Sequence, residues 1–344
     1  MTKTTRKAIR QRKICMLLII ILIIVLSVLG GGYYLLSQKN AASPQNGGQN
    51  SDSRNQTDLS QNGDIVEYKG ETYKYNDHLS NYLFLGIDTR ETVDTYQSQV
   101  DAGQADAIFL VSMDRATEKI KVLFIPRDSM TRIEVFNPAG KSLGMTTDHI
   151  NIQYAYGDGR QKSCELMKTA VSNMLDGVPI QGYCSMNMDG IAALTDFVGG
   201  VEITVPDSSL EDVNPDFKEG STVTLTGENA EQFVHYRDTK KSQSALVRQE
   251  RQKTYIQALL KKCQDEASQN AGFVADLYSS IKDYTVTSMG NDVFAKLLVA
   301  SQNGISDTQT VPGQGTEGEN FDEYHIDEDA LTEMIISMFY EKND

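Results

Sequence analysis

The chain has 344 residues, enough for one large or two modest domains, and its formal net charge is −15. Six Lys and Arg residues lie within the first thirteen positions, so the remainder is more acidic than the chain as a whole. Since affinity for nucleic acid comes mainly from cations that neutralise phosphates, this composition excludes a general nucleic-acid-binding domain.

The N-terminal segment has the pattern of a membrane anchor. Residues 1–13 form a basic tail, and residues 14–36 are uncharged and dominated by Leu and Ile. As a helix this run would be roughly 35 Å long, which predicts one transmembrane helix at the cell membrane. The basic flank predicts a cytoplasmic N-terminus and an extracellular C-terminal domain. The alternative is a cleaved signal peptide, whose apolar core is usually only about 7–15 residues.

Residues 37–64 are rich in Ser, Asn, Gln, Gly and Asp, which predicts a disordered linker. Its root-mean-square reach would be about 30 Å, so it would hold the following domain near the membrane surface. From residue 65 the composition becomes globular, and we predict one extracytoplasmic domain over 65–344 with an acidic C-terminal extension.

The elements of that domain are mixed. Apolar runs at 81–87, 107–113 and 119–126 predict buried strands, the last two joined as a hairpin by the polar residues 114–118. Helical spacing is found at 161–175, 191–198, after Thr226, at 244–266 and near the acidic C-terminus. This pattern predicts an α/β fold, an α-β-α sandwich around a central mixed β-sheet, preceded by one N-terminal transmembrane helix.

The cysteines do not indicate a disulfide framework or a zinc site. Cys15 lies in the predicted span, and Cys164, Cys184 and Cys263 form an odd set without short spacing. We therefore expect the last three to be buried free thiols.

Acids and arginines cluster at the ends of the predicted strands. In a hairpin centred on residues 116 and 117, facing residues have numbers that sum to 233, which pairs Asp106 with Arg127. Asp88 would join this pair if its strand runs parallel to 119–126, and Arg90 and Asp128 would lie at the same edge. The alternative is a set of scattered surface charges with a single salt bridge.

The helix at 244–266 supplies a second group of polar residues. Its apolar stripe, traced back from Leu259, continues to Gln252 and Arg248, so these two should face the domain interior, with Arg251 one position round. An inward arginine is costly unless it meets an anion, and the guanidinium fork suits phosphate oxygens. Two aspartates without thiolate partners suit Mg²⁺, with Mn²⁺ as the alternative ion. The combination predicts a pyrophosphate site; the alternative for the helix arginines is a salt-bridge network.

Seven blocks of the sequence together resemble one known family. They are NYLFLGIDTR at 81–90, ADA at 105–107, IPRD at 125–128, HINIQYAYG at 149–157, FVGGV at 197–201, LTGENA at 225–230 and RQERQ at 248–252. In these blocks, and in their order, the chain resembles the LytR-CpsA-Psr family. The resemblance implies an enzyme that moves an undecaprenyl-pyrophosphate-linked glycopolymer, a teichoic acid or capsular polysaccharide, onto peptidoglycan through a phosphodiester bond. The implied partners are the polyprenyl-pyrophosphate-linked glycan donor, the peptidoglycan acceptor and the membrane.

The resemblance also implies roles for single residues. By motif position, Asp88 and Asp106 correspond to the Mg²⁺-binding acids. Also by motif position, Arg127, Arg237, Arg248 and Gln252 correspond to groups that bind the pyrophosphate. We expect Arg90, His235 and Arg251 to contribute to the same binding. The expected catalytic set is Asp88, Asp106, Arg127 and Asp128, the last as a base or as the group that orients Arg127.

The chain departs from the family pattern at the rim of the site. His235 stands where the family usually has an arginine, His149 replaces a lysine, and Ser244-Ala245 replaces Gly-Asp. Two other functions fit the same residues. One is a non-catalytic regulator or scaffold that binds lipid-linked glycans, and the other is a polyprenyl-pyrophosphate phosphatase that uses water as the acceptor.

Overall fold

The structure is a computed structural model that describes residues 65–90, 92–93, 102–236, 238, 305–318 and 321–343, with discontinuous positions from 248 to 300. The predicted tail, membrane span and linker over 1–64 lie outside the described residues. So do Arg237, Gln252, Ser244 and Ala245.

The strands are β1 (Ile65–Tyr68), β2 (Glu71–Tyr75), β3 (Leu79–Ile87), β4 (Ala105–Asp114), β5 (Ile120–Ile125), β6 (Met130–Phe136), β7 (Ser142–His149), β8 (Gly182–Asn187), β9 (Val201–Thr204), β10 (Thr222–Leu225), β11 (Thr285–Thr287), β12 (Ile305–Thr310), β13 (Gly313–Glu317), β14 (Asp322–Ile326) and β15 (Tyr340–Lys342). The α-helices with continuous bounds are α1 (Gln161–Met174), α2 (Met188–Phe197), α3 (Gly227–His235), α4 (Phe273–Ile281) and α5 (Glu328–Phe339). Short 3₁₀ helices cover Ile150–Tyr156 and Lys282–Tyr284. Described positions between 248 and 269 are also helical, and we call this segment the Arg248 helix.

The main sheet has six described strands in the order β11-β8-β3-β4-β5-β12. Strand β3 pairs in parallel with β8 and antiparallel with β4, which pairs antiparallel with β5. Strands β3 and β5 therefore run in the same direction, and their carboxyl ends meet at one edge. The prediction of a mixed α/β fold with a central mixed sheet is confirmed.

Both faces of the main sheet are buried because alternate residues of each strand point to opposite sides. Leu83 and Leu85 pack with Val171 of α1 and Ile335 of α5 on one face. Phe84 and Phe109 stack on the opposite face, with ring centroids 5.3 Å apart. A further core lies among α2, α3, α4 and the Arg248 helix, whose contribution includes Leu259 and Cys263.

Local sequence signals explain where helix α3 begins. Thr226 and Asn229 form a reciprocal capping box, in which each side chain accepts a hydrogen bond from the other residue's backbone N–H. The side chain of Asn187 caps α2 by accepting from the Gly190 N–H at 3.1 Å. The helix that the sequence predicted after Thr226 is confirmed.

The acidic C-terminal region contributes strands as well as the predicted helix. Strands β13 and β14 form a hairpin whose Tyr324 N–H donates to the Asp128 carbonyl at 2.8 Å. Strand β15 pairs with β2, so it closes a small sheet beside the first strands of the domain. The C-terminal region therefore supports the turn that carries Asp128. The sequence did not indicate this contact.

Within the described ranges, no helix combines the length and apolar character needed to cross a membrane.

Candidate functional site

Three strand termini meet at one edge of the main sheet. Strands β4 and β5 pair Ile108 with Ile125 and Met113 with Ile120, which is the register that makes facing residue numbers sum to 233. Asp106 and Arg127 consequently lie side by side beyond the paired region. Asp88 directly follows β3 at the same edge. The predicted hairpin register and convergence are confirmed.

Asp106 lies between two arginines. One carboxylate oxygen forms an ion pair with Arg127, and the other lies 3.4 Å from a guanidinium nitrogen of Arg248. The side chains of Asp106 and Arg248 are only 8% and 10% exposed, and that of Arg127 is 24% exposed. The helix phase predicted that Arg248 faces inward, and the structure confirms it. The two arginines thus bring two positive charges to one nearly enclosed carboxylate.

Arg127 is also fixed by neighbours on its own loop and on a nearby helix. Its Nε donates to Asp128 Oδ1 at 3.1 Å, and a terminal nitrogen donates to Gln104 Oε1 at 3.2 Å. Asn151 donates to the same Gln104 oxygen at 3.0 Å, and its backbone N–H donates to the Arg127 carbonyl. Gln104 was not identified from the sequence, although it lies just before the ADA block. These contacts leave Arg127 little freedom to rotate.

Asp88 is held by the segment that precedes β4. The Gln104 N–H donates to Asp88 Oδ1, and the Asp88 N–H donates to the Gln104 carbonyl at 3.1 Å. Gly103 has a φ of +70°, and a Cβ at this position would lie 2.7 Å from Asp88 Oδ1, so only glycine fits here. Partial burial of the Asp88 carboxyl raises its pKa, and the nearby charge of Asp106 raises it further. The side chain nevertheless keeps contact with solvent.

Arg90 connects the site to two helices. Its guanidinium lies 2.6 Å from Glu231 of α3 and 3.6 Å from Asp189 of α2, and its side chain is 59% exposed. Arg90 follows the end of β3, at the sheet edge where it was predicted. Its ion pairs direct the side chain towards α2 and α3.

Arg251 is enclosed in a different environment from Arg248. Its side chain is 1% exposed, and it donates to the backbone carbonyls of Phe233 and Tyr236 and to the Ser209 hydroxyl. Burial lowers the pKa of Arg251, and the neighbouring Arg248 charge adds to this effect. These contacts give Arg251 a structural role at the end of α3, whereas the sequence placed it among the pyrophosphate ligands.

The two histidines of the predicted rim, His149 and His235, contact different elements of the structure. His149 bonds Asp148 Oδ1 and the Asp322 carbonyl, each at 3.0 Å, so it joins β7 to β14. His235 ends α3 and lines a cleft with polar residues of that helix. Arg237 and Gln252, also predicted for this site, lie outside the described residues.

A model of the LytR_cpsA_psr family matches residues 33–339. The chain belongs to this family. The resemblance inferred from the seven sequence blocks is confirmed, and the match includes every described residue of the site.

Named relatives include transferases of cell-wall polymers. Over 195 residues the chain is 33% identical to "Polyisoprenyl-teichoic acid--peptidoglycan teichoic acid transferase TagU" of Halalkalibacterium halodurans, a match that covers 56% of this chain and 57% of that protein. It is 31% identical over 184 residues to the corresponding TagV transferase of Bacillus subtilis, covering 52% of this chain and 42% of TagV. The matched segment thus spans little more than half the length of the first relative and less than half of the second.

Solved structures show the same fold. Protein gbs0355 from Streptococcus agalactiae superposes with a TM-score of 0.56 at 22% identity, covering 77% of this chain and 91% of that chain. The structure described as TagT bound to LI-WTA gives a TM-score of 0.51 at 20% identity, covering 81% of this chain and 96% of that chain.

Proposed function

We propose that this protein is a phosphotransferase that moves a polyprenyl-pyrophosphate-linked glycopolymer, a teichoic acid or capsular polysaccharide, onto peptidoglycan. The observation that carries the proposal is the cluster of Asp106 between Arg127 and Arg248 at the meeting point of three strand ends. Membership of the family and the names of the transferase relatives support the reaction class.

The arginines suit the donor's charged group. In the reaction, an acceptor hydroxyl oxygen forms a bond to the phosphorus that carries the glycan, and the bridging P–O bond to the second phosphate breaks. Polyprenyl phosphate then leaves with the bonding electron pair. Arg127 and Arg248 would bind the pyrophosphate oxygens, since paired guanidinium donors stabilise the charge that develops there. Asp128 orients Arg127 through Nε and is the candidate acceptor for the hydroxyl proton.

The acids at the strand ends suit a magnesium ion. Among the described residues, no three acidic, histidine or cysteine side chains come together as a metal-binding group. Mg²⁺, however, usually binds one or two carboxylates together with substrate phosphates. Asp88 and Asp106 fit that requirement, because they are close enough for the Asp106 charge to raise the Asp88 pKa. When bound, the ion would neutralise pyrophosphate charge, and Mn²⁺ is the alternative.

We further propose that residues 14–36 anchor the chain in the cell membrane, with the domain outside and the basic tail inside. The support is the uncharged, Leu- and Ile-rich composition of that segment and its basic flank. A membrane-bound enzyme would meet a donor that is itself carried by a lipid.

The proposal is tested with the full-length chain in detergent, a lipid-pyrophosphate oligosaccharide, Mg²⁺ and soluble peptidoglycan fragments. We expect a covalent glycan–peptidoglycan adduct, and we expect chelation of the metal to reduce its formation. Arg127→Ala and Arg248→Ala should each lower the rate by about 10²–10³, the loss typical of a removed electrostatic donor in a transition state.

The matched control is Arg132→Ala, because Arg132 is an exposed arginine on the neighbouring strand β6. It should react at the wild-type rate, and circular dichroism would verify that all three variants are folded. Release of free sugar phosphate without an adduct would indicate the phosphatase. Donor binding without turnover, unchanged in Asp106→Ala, would indicate the scaffold.

A further inference from the structure

The ring of His149 joins two strands that are distant in sequence. His149 ends β7, and its Nδ1 lies 3.0 Å from Asp148 Oδ1. Its Nε2 lies 3.0 Å from the carbonyl oxygen of Asp322, the first residue of β14. The Phe321 ring stands nearly perpendicular to it, with ring centroids 6.4 Å apart, and the His149 side chain is only 16% exposed. We call the two ring hydrogen bonds the His149 bridge.

Both partners in the His149 bridge are acceptors. A carbonyl oxygen and an ionised carboxylate have no proton to donate, and a neutral imidazole has a single N–H. The neutral ring can therefore donate to Asp148 or to Asp322, but not to both. The imidazolium has two N–H groups and can make both bonds at the observed distances. The geometry around His149 is therefore that of the protonated ring.

The charged group in direct contact with the ring is the Asp148 carboxylate, which also accepts from the His149 backbone N–H at 2.8 Å. A carboxylate attracts an imidazolium. The strands packed against β7 carry other titratable or charged residues, which are Arg132, Glu134, Asp322, Glu323 and His325. The two on β6 lie opposite other residues of β7, and Glu323 is paired with His325 at 2.9 Å. The 3₁₀ helix that follows β7 contributes no charged residue.

The His149 bridge lies next to the contacts that support the Asp128 turn. Tyr324 of β14 donates its N–H to the Asp128 carbonyl at 2.8 Å, and its backbone also pairs with Ser129. The residue after His149, Ile150, donates its N–H to the Ser129 carbonyl at 2.9 Å. The turn is therefore contacted both by β14 and by the backbone that follows β7, which are the two segments that the bridge joins.

The turn in its place fixes a guanidinium of the candidate site. Asp128 Oδ1 accepts from Arg127 Nε at 3.1 Å. If β14 moved away from β7, the Asp128 carbonyl would lose its bond from Tyr324, and the carboxylate that orients Arg127 would be held less firmly. His149 can thus act on the site through Asp128 without contact with a substrate.

We propose that His149 is a positioning residue whose protonated ring holds β14 against β7 and thereby keeps Asp128 in place. When the ring loses its proton, one of the two bonds is lost and β14 is held less firmly. Histidine changes its charge between about pH 5 and 8, so the support of the turn is strongest in mildly acidic surroundings and weakens as the pH rises. The consequence for transfer rests on the function proposed above, whereas the His149 bridge itself does not.

The direct test measures hydrogen exchange of the β14 amides, including that of Tyr324, by mass spectrometry on the full-length chain in detergent. The rates are corrected for the effect of pH on unprotected amides. Between about pH 5 and about pH 8 we expect the protection of β14 to fall about tenfold, the loss of one charge-assisted hydrogen bond. Strands β9 and β10 form a separate two-stranded sheet, and their protection should change by less than about twofold.

Three variants identify the ring as the cause. His149→Phe keeps a ring beside Phe321 but removes both hydrogen bonds, so the protection of β14 should be low at every pH. His149→Lys keeps a positively charged donor throughout this pH range, so the protection should stay high. The matched control is His325→Phe, because His325 lies on β14 with a side chain that is 55% exposed, and this variant should keep the wild-type response.

The proposal is overturned if the protection of β14 in the wild type is the same at both pH values, or if His149→Phe keeps the wild-type response. If His149→Phe does not fold, the wild type and His149→Lys are compared instead, and equal responses to pH in these two chains overturn the proposal.

The kinetic test uses His149→Lys and the wild type in the adduct assay. The ratio of the variant's kcat to the wild-type kcat should rise by about twofold or more between the two pH values, and KM for the donor should stay within about twofold. A ratio that does not change with pH overturns the positioning role. Protection that depends on pH in a chain without transferase activity would preserve the His149 bridge and refute the proposed reaction, whereas protection that is independent of pH in an active chain would refute the bridge alone.

Discussion

Asp106 holds Arg127 and Arg248 together against their mutual repulsion. The contribution of Asp106 to the free energy of unfolding can be measured with the variant Asp106→Asn. The substitution keeps the size of the side chain but removes its charge. Breaking a buried ion pair by removing one partner costs about 3–5 kcal/mol. Arg127 retains Asp128 at 3.1 Å and some solvent contact, so we expect the lower end, about 3 kcal/mol. For a domain of this size, that corresponds to a fall in Tm of roughly 6–12 °C.

A second experiment asks whether inorganic pyrophosphate restores the stability that Asp106→Asn loses, which connects the effect of Asp106 on unfolding to the proposed function. Once Asp106 no longer carries a charge, Arg127 and Arg248 should bind inorganic pyrophosphate, and a ligand at 100 times its Kd stabilises the native state by about 2.7 kcal/mol. In metal-free buffer, pyrophosphate should therefore raise the Tm of Asp106→Asn by more than it raises that of the wild type, where Asp106 competes for the arginines. Differential scanning fluorimetry and urea unfolding provide the measurements.

The control substitution is Asp77→Asn, which removes an exposed ion pair with Lys74 and should cost less than about 1 kcal/mol. The reasoning is refuted if Asp106→Asn is no more destabilising than this control. It is also refuted if pyrophosphate stabilises the variant and the wild type equally.

Three further predictions concern the cysteines, Tyr324 and Asp88. Burial raises the pKa of each of the three buried cysteines to about 12, so a Cys15→Ser chain should show no native reaction with a thiol reagent at mildly alkaline pH and three reactive thiols after denaturation. Tyr324→Phe removes a 2.7 Å hydrogen bond to the Val311 carbonyl and should lower the free energy of unfolding by about 1 kcal/mol in a urea titration; no change would refute the role of this bond. Because the pKa of Asp88 is raised above 3.8, its stabilising contribution is present at low pH and is lost as the pH rises through the folded-state pKa. In the absence of metal, Asp88→Asn should therefore become more stable relative to the wild type as the pH rises from acid to neutral. A stability difference that does not change with pH would contradict this reasoning.

The site could be predicted from the sequence where its geometry is local. The length of the polar connection between β4 and β5 determines which residues face each other, so Asp106 and Arg127 could be paired by their numbers alone. The phase of the Arg248 helix likewise follows from its apolar stripe. The distinction between Arg248 and Arg251 could not be predicted, because it depends on carbonyls that α3 and its C-terminal end present to Arg251.

Parts of the fold were missed because the relevant pairing is distant in sequence. Strand β8 is buried at every position, so it lacks the alternation that marks a half-exposed strand, and its parallel partner β3 lies far earlier in the chain. Strands β13 and β14 are hidden by acidic composition and glycine. Gln104 was missed because a single amide carries no sequence signal, although its oxygen receives bonds from both Arg127 and Asn151.

The hydrogen bond from Tyr324 to the Asp128 carbonyl makes the order of synthesis relevant to activity. A ribosome completes the Arg127-Asp128 turn long before it adds β14, so a nascent chain that already contains the arginines and acids of the site still lacks the support for that turn. Premature termination before β14 should therefore yield a chain that contains all of the proposed reacting groups but does not hold Asp128 in place. Competence for catalysis would then arise late in synthesis, which limits reaction by incomplete chains.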